Sequence, residues 1–146
     1  MKKHILFVTF TSLLITSCFH NEKAKGFPIT GSWKLFYNEI KQGDSIQIKD
    51  LSAIDFIKII NNTHFSFINQ PKDSLGKFYA GGGSYTFDGE NYSETLNYIA
   101  YKAIRGHVFN FKIEIKGDTL IQYGKEKVKT ANIDRDIIEK YLRIKN

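Results

Sequence analysis

From about residue 31 onward, apolar and polar residues alternate in short runs that are rich in aromatic and β-branched side chains. This alternation is typical of half-buried β-strands. A last run over residues 137–144 fits either a strand or a short helix that begins at Asp134, and we favour a closing strand. The pattern predicts an all-β sandwich or barrel, whose other strands cover residues 32–37, 56–60, 64–68, 84–87, 90–98, 107–115 and 119–123.

Turn residues separate these runs. Asp88-Gly89 and Gly117-Asp118 are dipeptides preferred in two-residue hairpin turns, and Asn61-Asn62 tolerates the positive φ of a third tight hairpin. Before residue 56 the alternation weakens, and residues 50–54 fit one helical turn that would cover the mouth of a barrel.

Three consecutive glycines, Gly81-Gly82-Gly83, invite comparison with a phosphate-binding loop. Such a loop needs a helix after it, whereas residues 84–87 have the strand pattern. We therefore expect a bulge or a sharp bend of the sheet here, because glycine permits both.

The first residues have the form of an export signal. Lys2-Lys3 precede an apolar stretch over residues 5–15, and small residues come before Cys18, the one cysteine of the sequence. This ending resembles the bacterial lipoprotein signal, in which the cysteine thiol receives a diacylglycerol and becomes the first residue of the mature chain. An ordinary signal peptide with an incidental cysteine is the alternative.

We accordingly predict three segments: a lipoprotein signal peptide over residues 1–17, a lipidated Cys18 with a flexible tether up to residue 29, and one barrel domain over residues 30–146. Phe19, which follows the cysteine, is not the aspartate associated with inner-membrane retention in some bacteria. The expected location is the cell envelope, lipid-anchored in the outer membrane.

Charge and cysteine content narrow the functional classes. Loss of Lys2 and Lys3 with the signal peptide lowers the net charge from +6 to +4. The remaining lysines are scattered among acidic residues and form no basic block, so nucleic acid is not an expected partner. With Cys18 acylated, no disulfide is available and the core must supply the stability.

A family resemblance covers nearly the whole mature chain. Its motifs are Gly31-Ser32-Trp33, Thr63-His64-Phe65 with Phe67, residues 80–89, Tyr92 with Glu94-Thr95, Gly117-Asp118-Thr119 and Arg143. Together they resemble the lipocalin-like domain of the DUF4488 kind found in secreted and lipid-anchored proteins of Bacteroidetes. The resemblance implies a calycin-like, antiparallel up-and-down barrel of about eight strands, with no catalytic residues and no cofactor.

The resemblance also assigns a structural role to two residues. In lipocalins, an arginine of the last strand lies over the tryptophan of the Gly-x-Trp motif and seals one end, which here implies a contact between Arg143 and Trp33. The chain departs from the family at Tyr141, where a tryptophan is expected.

Side chains alternate between the two faces along each strand of a hairpin, and we call this alternation hairpin parity. It predicts which side chains point inward. Around Asp88-Gly89, one face is apolar and carries a carboxylate, Glu94, that is costly to bury unless it is paired or wet. Hydrogen bonding of Glu94 to tyrosine hydroxyls or a place at the rim is the structural alternative to ligand contact. The inward residues expected to contact a ligand on this hairpin are Tyr85, Phe87, Tyr92, Glu94 and Tyr98.

The same parity on the next hairpin gives His107, Phe109, Phe111 and Gln122 as inward ligand contacts. Glu94, His107 and Gln122 would thus be polar groups in a wall of aromatic rings, as in a ligand pocket with a few orienting groups.

Three functions follow. We expect a barrel that binds a small hydrophobic or amphipathic molecule in its interior. The alternative is an interaction module whose barrel is filled by its own side chains; a cavity of about 300 Å³ or more would favour binding over this alternative. An enzyme, the least favoured, would need Glu94 and His107 to converge. Neither a nucleophile motif nor metal-ligand spacing of histidines is present.

Overall fold

The computed structural model describes residues 28–73 and 76–145. The predicted signal peptide, Cys18 and most of the tether lie outside the described residues. The strands are β1 (Gly31–Gln42), β2 (Ser45–Ile48), β3 (Ile54–Ile60), β4 (His64–Pro71), β5 (Tyr79–Phe87), β6 (Asn91–Ile99), β7 (Val108–Lys116), β8 (Thr119–Val128) and β9 (Ile133–Arg143). Two 3₁₀ turns, Lys102–Ile104 and Lys129–Ala131, precede β7 and β9. The described part of the chain holds no helix of the length and apolarity needed to cross a membrane.

Antiparallel pairing closes the sheet on itself. Apart from β2, each strand pairs with its neighbours in sequence, and β9 returns to pair with β1 from Trp33↔Arg143 to Lys41↔Asp136. The first part of β1 pairs with β3, and its last part pairs with β2, which therefore extends β1 as a short hairpin. Eight strands form the closed barrel, which confirms the predicted all-β, up-and-down fold.

The two ends of the barrel differ. Short hairpin connections after β3, β5 and β7 lie at the end where the chain enters β1, and we call this the closed end. Longer connections after β4, β6 and β8 lie at the opposite end, the mouth. The two 3₁₀ turns meet there, where the Thr130 hydroxyl donates to the carbonyl of Ala103 at 3.3 Å.

Trp33 and Arg143 seal the closed end. The indole is fully buried and donates to the carbonyl of Ile29 at 2.8 Å. The guanidinium carbon lies 4.0 Å from the centre of the indole ring, and its nitrogens donate to the carbonyls of Thr30 and Pro28, each at 2.7 Å. This is the contact that the family resemblance implies, and it fixes the chain entering β1 across the end of the core.

The hairpins form where predicted, but two of them use other turn chemistry. Among the described residues, Asn132 is the non-glycine residue with positive φ, so the asparagine turn is not built on left-handed backbone. Instead the Asn61 side-chain oxygen accepts from the backbone N–H groups of Thr63 and His64, at 2.9 and 2.7 Å. Asp88 likewise accepts from the backbone of Asn91 at 2.8 Å.

The longer Asp88 turn shifts the strand register. Phe87 pairs with Tyr92 and Tyr85 pairs with Glu94, whereas a two-residue turn would have paired Phe87 with Glu90. A shift of two residues preserves the alternation of the strands, so this turn by itself moves no side chain to the other face. Glu90 itself lies exposed in the turn rather than on the inner face.

Most strands are longer than the pattern predicts, and one was missed. β1 continues to Gln42 and β8 to Val128, and all four residues of β2 are exposed. Exposure on both faces removes the alternation by which strands are recognised. The predicted helical turn at residues 50–54 is wrong: the segment is a simple turn closed by a 3.4 Å hydrogen bond from the Ile54 N–H to the Leu51 carbonyl. The closing strand is confirmed as β9.

Bulges reset the inward and outward faces on two strands. Gly82 pairs with Tyr98 and Ser84 pairs with Thr95, so β6 advances three residues where β5 advances two. The extra residue of this bulge is therefore on β6. A Cβ on Gly83 would clash with the backbone carbonyl of Thr95, so this close approach requires glycine, as expected for the glycine run. On β1, a register shift between Leu35 and Tyr37 exchanges the inward and outward faces for the residues that follow.

Candidate functional site

A cavity of about 220 Å³ lies inside the barrel and opens toward the mouth. Its volume is below the roughly 300 Å³ at the lower end of typical ligand pockets, although the interior is not fully packed. The apolar wall consists of Phe56, Phe67, Leu96, Ile104, Phe109, Phe111, Ile133 and Ile137. The polar lining consists of Lys58, Tyr79, Glu94, Gln122, Glu126, Arg135, Glu139 and Tyr141.

Lys58 is the centre of the polar lining. Alternation along β3 directs Phe56, Lys58 and Ile60 inward. The lysine is only 3% exposed, and its ammonium donates to Glu94 of β6 and, at 2.6 Å, to Oε1 of Gln122 of β8. We call these three residues the Lys58 cluster; it joins three strands across the barrel interior.

Aromatic rings surround the ammonium on its other sides. Lys58 Nζ lies 5.2 Å from the ring centre of Tyr92, 5.3 Å from that of Phe65 and 5.8 Å from that of Tyr141. These are cation–π distances, and the attraction is stronger where water is excluded. The rings and the Glu94 carboxylate together replace the hydration that the ammonium loses on burial.

Glu139 of β9 is a second interior carboxylate. The Tyr141 hydroxyl donates to its Oε2 at 2.6 Å, and the Asn38 amide donates to its Oε1 at 3.2 Å. Asn38 faces inward because the β1 bulge turns this part of the strand over. Burial raises the pKa of Glu139 above its ordinary value, although the Lys58 charge and the Tyr141 hydrogen bond act in the opposite direction.

The two buried tyrosines of the site remain neutral. Burial raises the pKa of both Tyr92 and Tyr141 well above the ordinary value, and the neighbouring glutamates add to the shift. The Tyr92 hydroxyl lies beside Glu94 but makes no hydrogen bond of normal geometry within the described residues.

A second ion pair stands nearer the mouth. Nε of Arg135 donates to Oε2 of Glu126 at 2.6 Å, with the arginine side chain 35% exposed and the glutamate 19%. This pair therefore lies at the wetter edge of the cavity, whereas the Lys58 cluster lies at its dry inner part.

Five predicted site residues are buried in the interior, as parity indicated: Tyr92, Glu94, Phe109, Phe111 and Gln122. All of these except Tyr92 line the cavity. Contact of these side chains with a ligand stays a prediction.

Tyr85 and Phe87 do not line the cavity. They are half-buried near the closed end, with ring centres 5.2 and 6.4 Å from that of Tyr92, and the Tyr85 hydroxyl donates to the carbonyl of Asn61 at 2.7 Å. Parity gives the face of a side chain but not its height along the barrel, and these two lie below the cavity.

The predicted inward orientation of Tyr98 is wrong. Its side chain is 67% exposed, because the bulge opposite Gly83 adds a residue to β6 after Leu96 and turns Tyr98 outward. His107 also misses the cavity: it precedes β7, is half-buried and packs on the ring of Phe109 at 4.6 Å. His107 and Glu94 therefore do not converge on the cavity as an enzyme site would require.

The sequence interpretation missed Lys58, Glu139 and Tyr141. A signal was present, since each occupies an inward position of a predicted strand: Lys58 between Phe56 and Ile60, and Glu139 and Tyr141 in step with Arg143. In the described part of the chain, no group of three or more histidine, cysteine, aspartate or glutamate side chains is arranged to hold a metal ion.

A lipocalin-like protein from Bacteroides uniformis is similar in structure, with 16% sequence identity and a TM-score of 0.49; the match covers 79% of this chain and 97% of that one. No protein-family model matches the chain, and no curated protein matches it. The barrel assignment rests on the strand pairings of this chain, and membership in the family of the DUF4488 kind stays a prediction.

Removal of one partner of the buried ion pair should cost more than removal of both. Lys58→Met leaves the Glu94 carboxylate buried without its cation, and we expect a loss of about 3–5 kcal/mol in the free energy of unfolding. The double variant Lys58→Met/Glu94→Gln should be clearly more stable than the sum of the single changes indicates. Urea denaturation of the four proteins measures this coupling.

The matched control is the exposed pair Lys112–Glu90, at 2.7 Å, where the same two substitutions should show little coupling because water screens the charges. Equal coupling at the two pairs would contradict the assigned role of Lys58.

Glu139 should make stability depend on pH. Its pKa in the folded protein is raised above the ordinary value of 4.5, so its contribution is complete below that value and is lost as the pH rises through the folded pKa. We expect Glu139→Gln to remove this decline. Urea denaturation between about pH 4 and pH 8 should show the unfolding free energy of the native protein falling relative to the variant. A difference that is constant over this range would contradict the prediction, and Glu90→Gln should follow the native profile.

Proposed function

We propose that this barrel binds a small, partly apolar molecule in its interior and exchanges it through the mouth. The observation that carries the proposal is the mixed lining of the cavity: hydrocarbon and aromatic side chains, and among them a polar set fixed by internal hydrogen bonds. Cavities of this composition are typical of ligand sites, where the apolar wall supplies affinity and a few polar groups supply orientation.

The apolar wall is ordered without a ligand. The rings of Phe56 and Phe67 stack with their centres 5.7 Å apart, and those of Phe109 and Phe111 stack at 6.2 Å. Rings already packed against one another lose little side-chain freedom when a ligand arrives, and this lowers the entropic cost of binding.

The size of the cavity limits the ligand. At about 30 Å³ for each water-sized group, a cavity of about 220 Å³ holds roughly seven such groups. This supports a compact molecule with a single ring or a short chain, and it does not support a long acyl chain held wholly inside.

Filling the cavity should abolish binding. Ile104 lies in the 3₁₀ turn over the mouth and lines the cavity, so Ile104→Trp places a large ring where the ligand would enter. The same substitution at Ile68, 36% exposed on the outside of β4, is the matched control. With benzyl alcohol as the probe, titration calorimetry should show saturable binding that Ile104→Trp weakens by at least about tenfold and Ile68→Trp leaves unchanged.

If benzyl alcohol and other single-ring molecules show no saturable binding, the interior is structural. The alternative function, an interaction module that docks another envelope protein, would then be favoured. An outer groove bordered by Ile59 and by Tyr98, which is 67% exposed, would be the first surface to test.

We also propose that the protein is anchored in the outer membrane of a bacterial envelope through an acylated Cys18. The support is the signal-like pattern of residues 1–17 and the position of Cys18 directly after them.

Cys18→Ser should abolish lipid attachment. In the native host, the variant should lose metabolic labelling by radioactive palmitate and leave the membrane fraction, whereas Ser45→Ala, in the exposed strand β2, should behave as the unaltered protein. Retention of label by the Cys18→Ser variant would rule out this site of attachment.

A further inference from the structure

The charges that line the cavity do not balance. Five lining side chains carry a formal charge: Lys58 and Arg135 are positive, and Glu94, Glu126 and Glu139 are negative. Lys58 pairs with Glu94, and Arg135 pairs with Glu126. Within the described residues, the hydrogen-bond donors to Glu139 are the neutral groups of Tyr141 and Asn38. One interior carboxylate therefore lacks a cation of its own.

Hydrogen-bond acceptors are also in surplus around Glu139. Its neighbour Asn38 has its own side-chain oxygen buried without a donor in the described part of the chain. Buried acceptors that lack donors are costly, and a ligand that brings N–H groups to the Glu139 carboxylate would add donors on the side that faces the cavity. A ligand that brought only acceptors would make the surplus worse.

The aromatic lining favours the same charge. Tyr141 borders the cavity next to Glu139, and the stacked rings of Phe56 and Phe67 border it as well. The face of an aromatic ring attracts cations, and the protein already uses this property in the interior, where three rings surround the Lys58 ammonium.

Resting on the proposed binding function, we infer that the ligand is an organic amine, bound as its ammonium ion against the Glu139 carboxylate with its apolar part against the phenylalanine wall. The ammonium would supply the cation that Glu139 lacks and donate to its carboxylate oxygens. The cavity volume of about 220 Å³ restricts the class to small amines with one ring or a short chain.

An anionic ligand held by Lys58 is the competing possibility. The Lys58 ammonium already donates to Glu94 and Gln122 and is enclosed by rings. A ligand carboxylate would have to displace Glu94, leaving that carboxylate buried without its cation, and such an exchange is costly.

Three probes of nearly equal shape separate these cases: benzylamine, benzyl alcohol and benzoate. At neutral pH they are a cation, a neutral molecule and an anion. We expect titration calorimetry to show benzylamine binding at least about tenfold more tightly than benzyl alcohol, and benzoate binding most weakly. The protein has a net charge of +6, so its overall field opposes this order and cannot produce it.

Variants test whether Glu139 causes the preference for benzylamine over benzyl alcohol. Glu139→Gln should bring the ratio of the benzylamine and benzyl alcohol affinities close to one, and a cooperative unfolding transition in urea shows that the variant is folded. Glu139→Asp, which keeps the charge, should keep part of the preference. Glu90→Gln removes one negative charge from an exposed turn and should keep all of it.

The outcomes separate the inference from the proposed function. If benzyl alcohol binds but benzylamine binds no more tightly, or if the preference survives Glu139→Gln, the amine inference is wrong and the binding function stands. Tightest binding of benzoate would favour the Lys58 alternative and overturn the inference. If none of the three probes binds, the binding function fails together with the inference.

Discussion

The burial of the Lys58 ammonium is the constraint on which the interior of this barrel depends. An ammonium taken out of water is tolerated only where charges and hydrogen-bond acceptors replace its hydration. Here those partners come from Glu94 on β6 and Gln122 on β8, on strands distant from Lys58 in sequence. Because the three groups must meet across the barrel, they fix the relative positions of the strands and prevent apolar side chains from filling the interior completely.

The two halves of the barrel thus have different physical roles. Toward the closed end, Trp33, Tyr92 and Leu120 are fully buried and the core is packed. Above the Lys58 cluster, the same sheet encloses open volume, the Glu139 carboxyl group with its raised pKa, and the Arg135–Glu126 ion pair. The lower half thus supplies close packing around Trp33, whereas the upper half also carries polar groups and open volume.

Most of the fold could be predicted from the sequence, and less of the site. Alternation and turn dipeptides predicted every strand of the closed barrel, β1 included, and the two-residue register shift at Asp88 left the faces correct. The errors at Tyr98 arose from a bulge that is set by backbone contact at Gly83, which no periodicity reports. Glu139 and Lys58 were missed because a charged residue within a strand is usually exposed, although the alternation of their strands directs both inward.

The position of Pro28 has a consequence for access to the interior. The chain enters β1 beneath the Trp33–Arg143 contact, so Pro28 lies at the closed end, with the full length of the barrel between it and the mouth. A ligand that uses the mouth would therefore enter and leave at the end of the barrel opposite Pro28.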